Sequence, residues 1–213
     1  MTVAIEPRRF VLTVDEQIKS ELKALLGDTP VTLASGSPRR REILALSGIA
    51  CTVIVPDVDE DIPVGVSPKQ FALDIATHKL AHVPGTSGIT VAADTIVVLD
   101  NRILGKPVDK ADARRMLRPL SGRRHYVITA LALRDNVAGR TICDFERSYV
   151  TFHSQSDEAI TSYVDSGEPM DKAGAYGIQG MGELLVEELE GSLHNVIGFP
   201  IELFVRMIKE LRQ

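Results

Sequence analysis

Apolar positions along this chain switch repeatedly between helical spacing and the alternation or unbroken run of a strand. Val14, Ile18, Leu22 and Leu25–Leu26 make a helical stripe closed by Gly27, with Pro30 just beyond. Asp15, Glu16, Lys19, Glu21 and Lys23 between them read as a solvated face without chemistry. Residues 1–29 are therefore expected to be a partly helical N-terminal extension, ahead of a main domain over 30–213. That domain opens with a short strand, Val31–Ala34, and a helix that Ser37-Pro38 starts and Gly48 closes. A β-branched run over Ala50–Val55, an acidic loop from Asp57 to Asp61 and a second Ser-Pro start at Ser67-Pro68 follow, this helix running to about His82. Ile89–Leu99 is a long apolar strand interrupted by one carboxylate, Asp94. A helix over Lys110–Leu117, paired strands over His125–Arg134 and Ile142–His153, and a helix over Asp157–Ser166 come next. A glycine-rich loop, Gly167–Gly182, precedes a strand at Glu183–Leu189 and a C-terminal helix at Pro200–Leu211. The alternation predicts an α/β fold with a mixed, twisted sheet and flanking helices, because the hairpin-like middle spoils a purely parallel arrangement.

With 213 residues, 44% hydrophobic and 25% charged, the chain has the composition of a folded protein, which excludes wholesale disorder. A domain of this size buries enough surface to need no disulfide or metal staple. The two cysteines, Cys51 and Cys143, are too few and too far apart for a disulfide framework or a CxxC clip, and read as small buried hydrophobes in a reducing compartment. A net charge of −5 and a pI near 5.6 argue against a nucleic-acid polymer as partner. No apolar run approaches the roughly 18 residues of a membrane span. Met1–Phe10 has neither an apolar core nor a small-residue cleavage site, so no secretory signal is expected and a cytoplasmic location is.

One helix start carries the wrong electrostatic sign. Ser35-Gly36-Ser37-Pro38-Arg39-Arg40-Arg41 puts three arginines into the first turn, behind a good N-cap residue and a proline at the first helical position. A helix N-terminus carries about half a positive charge and favours Asp or Glu, so each cation there costs roughly a few tenths of a kcal/mol before mutual repulsion is added. A bound anion would reverse every sign. Backbone N–H groups, the Ser35 and Ser37 hydroxyls and the guanidinium groups would all point at a phosphate, and Gly36 would let the backbone come close. The plainer alternative is that the arginines reach outward to surface carboxylates. Consecutive helix residues stand about 100° apart, so three span roughly 200°, and two are expected in the site with the third in solvent. Neither a Walker loop nor a GxGxxG fingerprint is present.

Asp94 sits in the run Val91–Val98, where a lone carboxylate is costly unless it is paired or binds a metal. Asp57-Val58-Asp59-Glu60-Asp61 offers four carboxylates, most of them expected in solvent. Lys106, framed by Gly105 and Pro107 just past the Asp94 strand, reads equally as a solvated turn lysine or a phosphate contact; composition says less of Lys79. His78 and His82 lack the glutamate and third ligand of an HExxH zinc site, and neither a GxSxG elbow nor a reactive Cys–His signature appears.

Taken together, Ser35-Gly36-Ser37-Pro38-Arg39-Arg40, Ala93-Asp94-Thr95, Gly105-Lys106-Pro107 and Asp171-Lys172-Ala173-Gly174-Ala175-Tyr176-Gly177-Ile178-Gln179-Gly180 resemble the Maf family of nucleoside triphosphate pyrophosphatases, from about residue 31 to the C-terminus. The resemblance implies hydrolysis of a nucleoside triphosphate between its α and β phosphates, a divalent cation (Mg²⁺ or Mn²⁺), and two α/β lobes around a cleft, similar to the inosine triphosphate pyrophosphatases. By matched position it implies Asp94 as the proton acceptor. It places Ser35, Arg39, Arg40, Glu60, Lys79 and Lys106 in the pocket, and associates Arg39, Thr95 and Gln179 with substrate choice. The Ala-Asp-Thr and Ala-Gly-Ala-Tyr-Gly-Ile-Gln-Gly forms resemble the branch acting on dTTP and UTP, where the 7-methyl-GTP branch typically has Ser-Asp-Gln. Family members often dimerise, so a homodimer is allowed.

The chemistry so implied is in-line attack of water on the α-phosphorus, with cations neutralising the phosphates. A carboxylate among cations is a poor base. A metal ion held by Asp94 with Glu60 would acidify the water itself and leave Asp94 mainly a ligand and orienter. Two other functions compete: a nucleotide-sensing regulator of cell division, since the family is also known for inhibiting septum formation, and an enzyme for purine or non-canonical triphosphates.

Overall fold

The computed structural model describes residues 10–58, 65–85 and 87–213. In chain order these form α1 (Glu16–Leu26), β1 (Val31–Ala34), α2 (Pro38–Leu46), β2 (Cys51–Val53), α3 (Pro68–Ala81), β3 (Ile89–Leu99), β4 (Arg102–Leu104), α4 (Lys110–Leu117), β5 (Arg124–Asp135), β6 (Arg140–Phe152), α5 (Asp157–Asp165), β7 (Val186–Glu190), α6 (Leu193–Ile197) and α7 (Ile201–Leu211). The strands make one mixed sheet in the order β2-β1-β3-β5-β6-β7, with β4 also on β3. β1 runs parallel to β2 and β3, and every other pairing is antiparallel.

The sheet forks at its centre. On one edge of β3, β1 pairs with Ile89–Ala92 and β4 with Val97–Leu99, so Ala93–Ile96 have no described strand on that side. The opening lies at the C-terminal end of β1, where α/β sheets bind their ligands.

Strand alternation divides the apolar residues between two layers. Val91, Ala93, Val97 and Leu99 of β3 face the larger core with Leu33, Leu131, Phe152 and Phe204. Ala92, Ile96 and Val98 face the other way, onto Phe71, Ala72 and Ile75 of α3. Asp94 shares the α3 side and Thr95 the opposite one, so adjacent residues serve different walls. On the larger core, α1 buries Leu22 and Leu26 beside α7, whose Phe204, Ile208 and Leu211 are buried in turn. The two α/β layers thus share one sheet, and no helix among the described residues is long and apolar enough to cross a membrane.

Most elements fall where the hydrophobic pattern puts them, and the exceptions have local causes. β4 is only three residues long, too short for a periodic signal. Asp100 and Asn101 both take left-handed backbone (φ 49° and 61°), the two-residue hairpin turn that folds β4 back on β3. α6 is a five-residue helix between the Ser192 cap and Gly198. The strand expected from Glu183 starts at Val186, because Gly180–Leu185 winds into a 3₁₀ turn. Of the cysteines expected to be buried, Cys51 is half-buried and Cys143 is exposed. Cys143 projects from β6 at the margin of α3, its sulfur 3.7 Å from the Leu73 carbonyl.

Candidate active site

A cleft of about 590 Å³ opens at the fork. Ser35, Ser37, Arg39, Arg40, Lys79, Asp94, Thr95, Lys106 and Gln179 all line it. Glu60 falls outside the described residues.

The first wall is the turn from β1 into α2. Ser37 occupies the N-cap position of α2 but makes no side-chain capping bond, and the first turn holds no acidic residue. Of the three arginines, Arg39 and Arg40 line the cleft and Arg41 is exposed, the division that helical geometry predicts. The two inner arginines differ. Arg39 stands at the rim, its Nη1 3.4 Å from Asp171 Oδ2. The outward-pairing alternative therefore holds in part, with a carboxylate that itself lines the cleft. Arg40 is buried and turned into the wall, where its hydrogen bonds go to other groups of the cleft. Its Nε donates to Gly198 O (2.9 Å), Nη1 to Ser35 Oγ and Ala93 O (both 2.8 Å), and Nη2 to Thr95 Oγ1 (3.1 Å). It satisfies a carbonyl that the fork leaves without a strand partner. Ser35 Oγ also accepts from Ser37 N (3.3 Å), so both its lone pairs are engaged and its proton remains to be given.

The second wall is α3 against β3. Lys79, in the last turn of α3, donates to Asp94 Oδ1 at 2.7 Å, and both side chains are about nine-tenths buried. The pairing lets a carboxylate persist among Ala92, Ile96 and Ala130. Asp94 Oδ2 has no hydrogen-bond partner among the described residues.

The third wall is the glycine-rich loop. Glu168 accepts from Met181 N (3.0 Å), Gly182 N and Tyr163 OH (both 3.1 Å) and knits the loop's two ends together. A side chain at Gly182 would meet Gly177 O at 2.0 Å, and Gly174 (φ 69°) lies against Val97 of β3, where a Cβ would come within 2.9 Å. Lys172 Nζ donates to Asp171 Oδ1 (2.7 Å). Burial works to raise the Asp171 carboxyl, but Lys172 and Arg39 outweigh it and hold the group below the usual carboxylate range. Beneath the loop Tyr176 OH meets His125 Nε2 at 2.7 Å. Burial pushes the Tyr176 phenol up and the His125 imidazole down to about 4, so near neutral pH both are uncharged.

Thr95 completes the floor. Its Oγ1 lies 2.9 Å from Thr129 Oγ1, and Thr129 in turn donates to Asn195 O (2.8 Å). Asn195 is fully buried. Thr129, Asn195 and Glu168 were not singled out by sequence, and Asp171, Lys172 and Tyr176 lay within a quoted motif without a role. A strand threonine and an asparagine on a five-residue helix carry no pattern of their own, and their importance depends on partners 34 and 66 residues away.

Among the described residues no three His, Cys, Asp or Glu side chains gather into a metal site. Asp94 can offer Oδ2 to a cation in the cleft, which Glu168 and Asp171 also line, and one or two carboxylates plus phosphate oxygens are what Mg²⁺ commonly takes. Lys106 and Lys172 add cationic lining, so the enclosure is built for a polyanion.

The family model for the Maf-like protein matches residues 30–211. A Bacillus anthracis (strain CDC 684 / NRRL 3495) protein named dTTP/UTP pyrophosphatase is 43% identical over 185 residues, 86% of this chain and 94% of its own. Proteins of the same name from Bacillus cereus (strain AH820), 42% identical over 86% of this chain and 94% of theirs, and Bacillus cytotoxicus, 43% identical over 85% and 93%, are similarly close. The cleft residues all lie within the matched span, and the chain belongs to the Maf family.

Proposed function

We propose that this protein hydrolyses dTTP and UTP to the nucleoside monophosphate and pyrophosphate, by attack of water on the α-phosphorus. The observation that carries this reading is the buried Lys79–Asp94 pair in the same cleft as the uncapped, arginine-headed start of α2. The relatives' shared name gives the nucleotides.

The side chains take the following parts. Ser37, Arg39, Lys106 and the start of α2 receive the phosphates, and Ser35 gives its remaining proton to a phosphate oxygen. Lys79 fixes Oδ1 of Asp94, which leaves Oδ2 to orient the attacking water; without a cation on it Oδ2 would also take the water's proton, and with one it acts as ligand and orienter. Arg40 acts through others by holding Ser35 and Thr95 in place. Thr95 and Gln179 read the pyrimidine edge. Asp94 and the triphosphate would hold Mg²⁺ or Mn²⁺, with Glu60 as a further ligand. Bound there, the cation supplies neutralisation of phosphate charge and a more acidic water. The nucleotide pool places the enzyme in the cytoplasm.

Pyrophosphate release across dTTP, UTP, CTP and GTP, with and without Mg²⁺ or Mn²⁺, tests the reading. The expected result is metal-dependent release with kcat/KM for dTTP and UTP at least about tenfold above GTP. In ¹⁸O-water the label should enter the monophosphate. Equal kcat/KM for dTTP and GTP would remove the pyrimidine assignment. An absence of release from every nucleotide would favour the regulator of cell division.

A further inference from the structure

We infer that His194 is a proton-operated latch for the N-terminal segment Phe10–Val14. It fastens that segment to α6 while its ring carries two protons and lets it go when the ring loses one. The latch works whichever nucleotide the cleft takes.

The segment stands ahead of the Maf domain and forms neither helix nor strand. Phe10 and Leu12 pack on the larger core and Val14 is buried, while Val11 and Thr13 are exposed. Among the described residues, two hydrogen bonds tie Phe10–Val14 to the rest of the molecule. Phe10 N donates to Glu183 Oε1 (3.1 Å), and Thr13 O lies 2.9 Å from His194 Nε2. Glu183 belongs to the 3₁₀ turn that begins at Gly180, and His194 to α6. Gly180, Val196 and Ile197 of these two elements line the cleft, whereas Glu183 and His194 do not. The segment is therefore a strap, joining two parts of the cleft wall from outside the cleft.

Both partners of the His194 ring only accept. Thr13 offers a carbonyl. Glu202 Oε1 lies 3.0 Å from Nδ1, and Glu202 Oε2 accepts from Ser192 Oγ at 3.3 Å. Burial works to raise the Glu202 carboxyl, but His194 outweighs it and keeps the group ionised. Two acceptors need two N–H groups, and only the imidazolium has both. A neutral ring keeps one proton, which the carboxylate holds at Nδ1. Nε2 then turns a lone pair on the Thr13 carbonyl, and two acceptors facing each other part the strap from α6.

Burial works to lower the His194 ring, but the bond to Glu202, its charge and the Thr13 carbonyl outweigh it and hold the ring above the usual histidine range. Other charges near α6 are engaged elsewhere: Arg40 of α2 on Gly198, Arg206 of α7 on Asp144 of β6, and Asp15 on the Gln17 N–H. Glu146 shares the Ser148 face of β6, and Glu202 is the residue whose charge acts on the ring. The folded-state value lies above the unfolded one. The latch's contribution is thus complete below the unfolded value of 6.5 and is lost as pH rises through the folded value.

The test is limited proteolysis of the full chain. Subtilisin cleavage within Phe10–Val14 is timed from about pH 6 to about pH 9, and each rate is divided by that of a free peptide of the same residues, which removes the protease's own pH dependence. The relative rate in the wild type is expected to rise at least about tenfold, the worth of one hydrogen bond from a charged donor. Its midpoint should coincide with the titration of the His194 ring followed by NMR. Glu202→Gln keeps an acceptor and removes the charge, so both midpoints should move to lower pH. His194→Phe should be cut rapidly at every pH. A wild-type relative rate that ignores pH overturns the inference. So does a Glu202→Gln midpoint that stays in place, since a merely structural contact would weaken without shifting. Should either variant fail to fold, the wild type decides: a ring that titrates at or below the ordinary value, or at a pH where cleavage does not change, overturns the inference, and coincident midpoints above it support it.

Discussion

Two helices of this protein begin with the same dipeptide and use it differently. At the start of α3, Ser67 Oγ accepts from Gln70 N at 3.3 Å, the ordinary N-cap, on an exposed surface. At the start of α2, Ser37 makes no such bond, and three consecutive arginines follow with no acid in the first turn. α1, α4 and α5 each pair a capping Asp or Ser with an acidic first turn. α3 serves the cleft with its opposite end, where Lys79 in the last turn meets Asp94. A cation there agrees with the helix dipole, whereas the arginines of α2 oppose it. One helix is therefore complete without a ligand, and the other has its cap and its charge balance supplied by one.

Asp94→Asn, where the two helices converge, should have the largest effect: kcat falls about 10²–10⁴-fold while dTTP binding survives. Near-normal kcat would remove Asp94 from the chemistry. Arg39→Ala is expected to raise KM by roughly 10- to 100-fold, the range of a lost charge-assisted hydrogen bond, with a smaller change in kcat. Unchanged kinetics would mean that the α2 start does not bind phosphate. The matched pair Ser67→Ala and Ser37→Ala sharpens the contrast directly. Ser67→Ala should lose about 1 kcal/mol in denaturant unfolding and leave KM alone. Ser37→Ala should cost little stability and raise KM roughly tenfold, the lower end of the worth of one hydrogen bond to an anion. The reverse pattern would abolish the distinction.

The smallest effect concerns Asp171, which balances Arg39 when no nucleotide is bound. Its folded-state pKa lies below the unfolded value, so its contribution is present above the unfolded pKa and is lost as pH falls through the folded one. Because the side chain is 66% exposed, that contribution is about 0.5 kcal/mol or less after solvent screening. Thermal unfolding should show Asp171→Asn slightly less stable than wild type near neutral pH and equal to it in acid. A difference that persists in acid would rule the ion pair out as its source.

How much the sequence reveals depends on the reach of each interaction. The Ser-Pro starts, the apolar stripe of α7 and the carboxylate in β3 are local signals, and each sits where its neighbours predict. The inner placement of two arginines out of three also follows from helix geometry. Which of them is buried does not, because Arg40 is held by Gly198 and Ala93, 158 and 53 residues away. The fork in the sheet depends on a three-residue strand whose one sequence cue is the Asp100-Asn101 turn. Asn195 looks like an ordinary polar residue on a short helix until α6 packs on β5 and encloses it.

The most direct measurement is a crystal structure of Asp94→Asn with dTTP, which binds without turnover. The triphosphate is expected against the first turn of α2, with Ser37 in contact and Arg39 moved from Asp171 to a phosphate oxygen. A nucleotide bound elsewhere, with Arg39 still on Asp171, would contradict the assignment of this helix start as the phosphate seat.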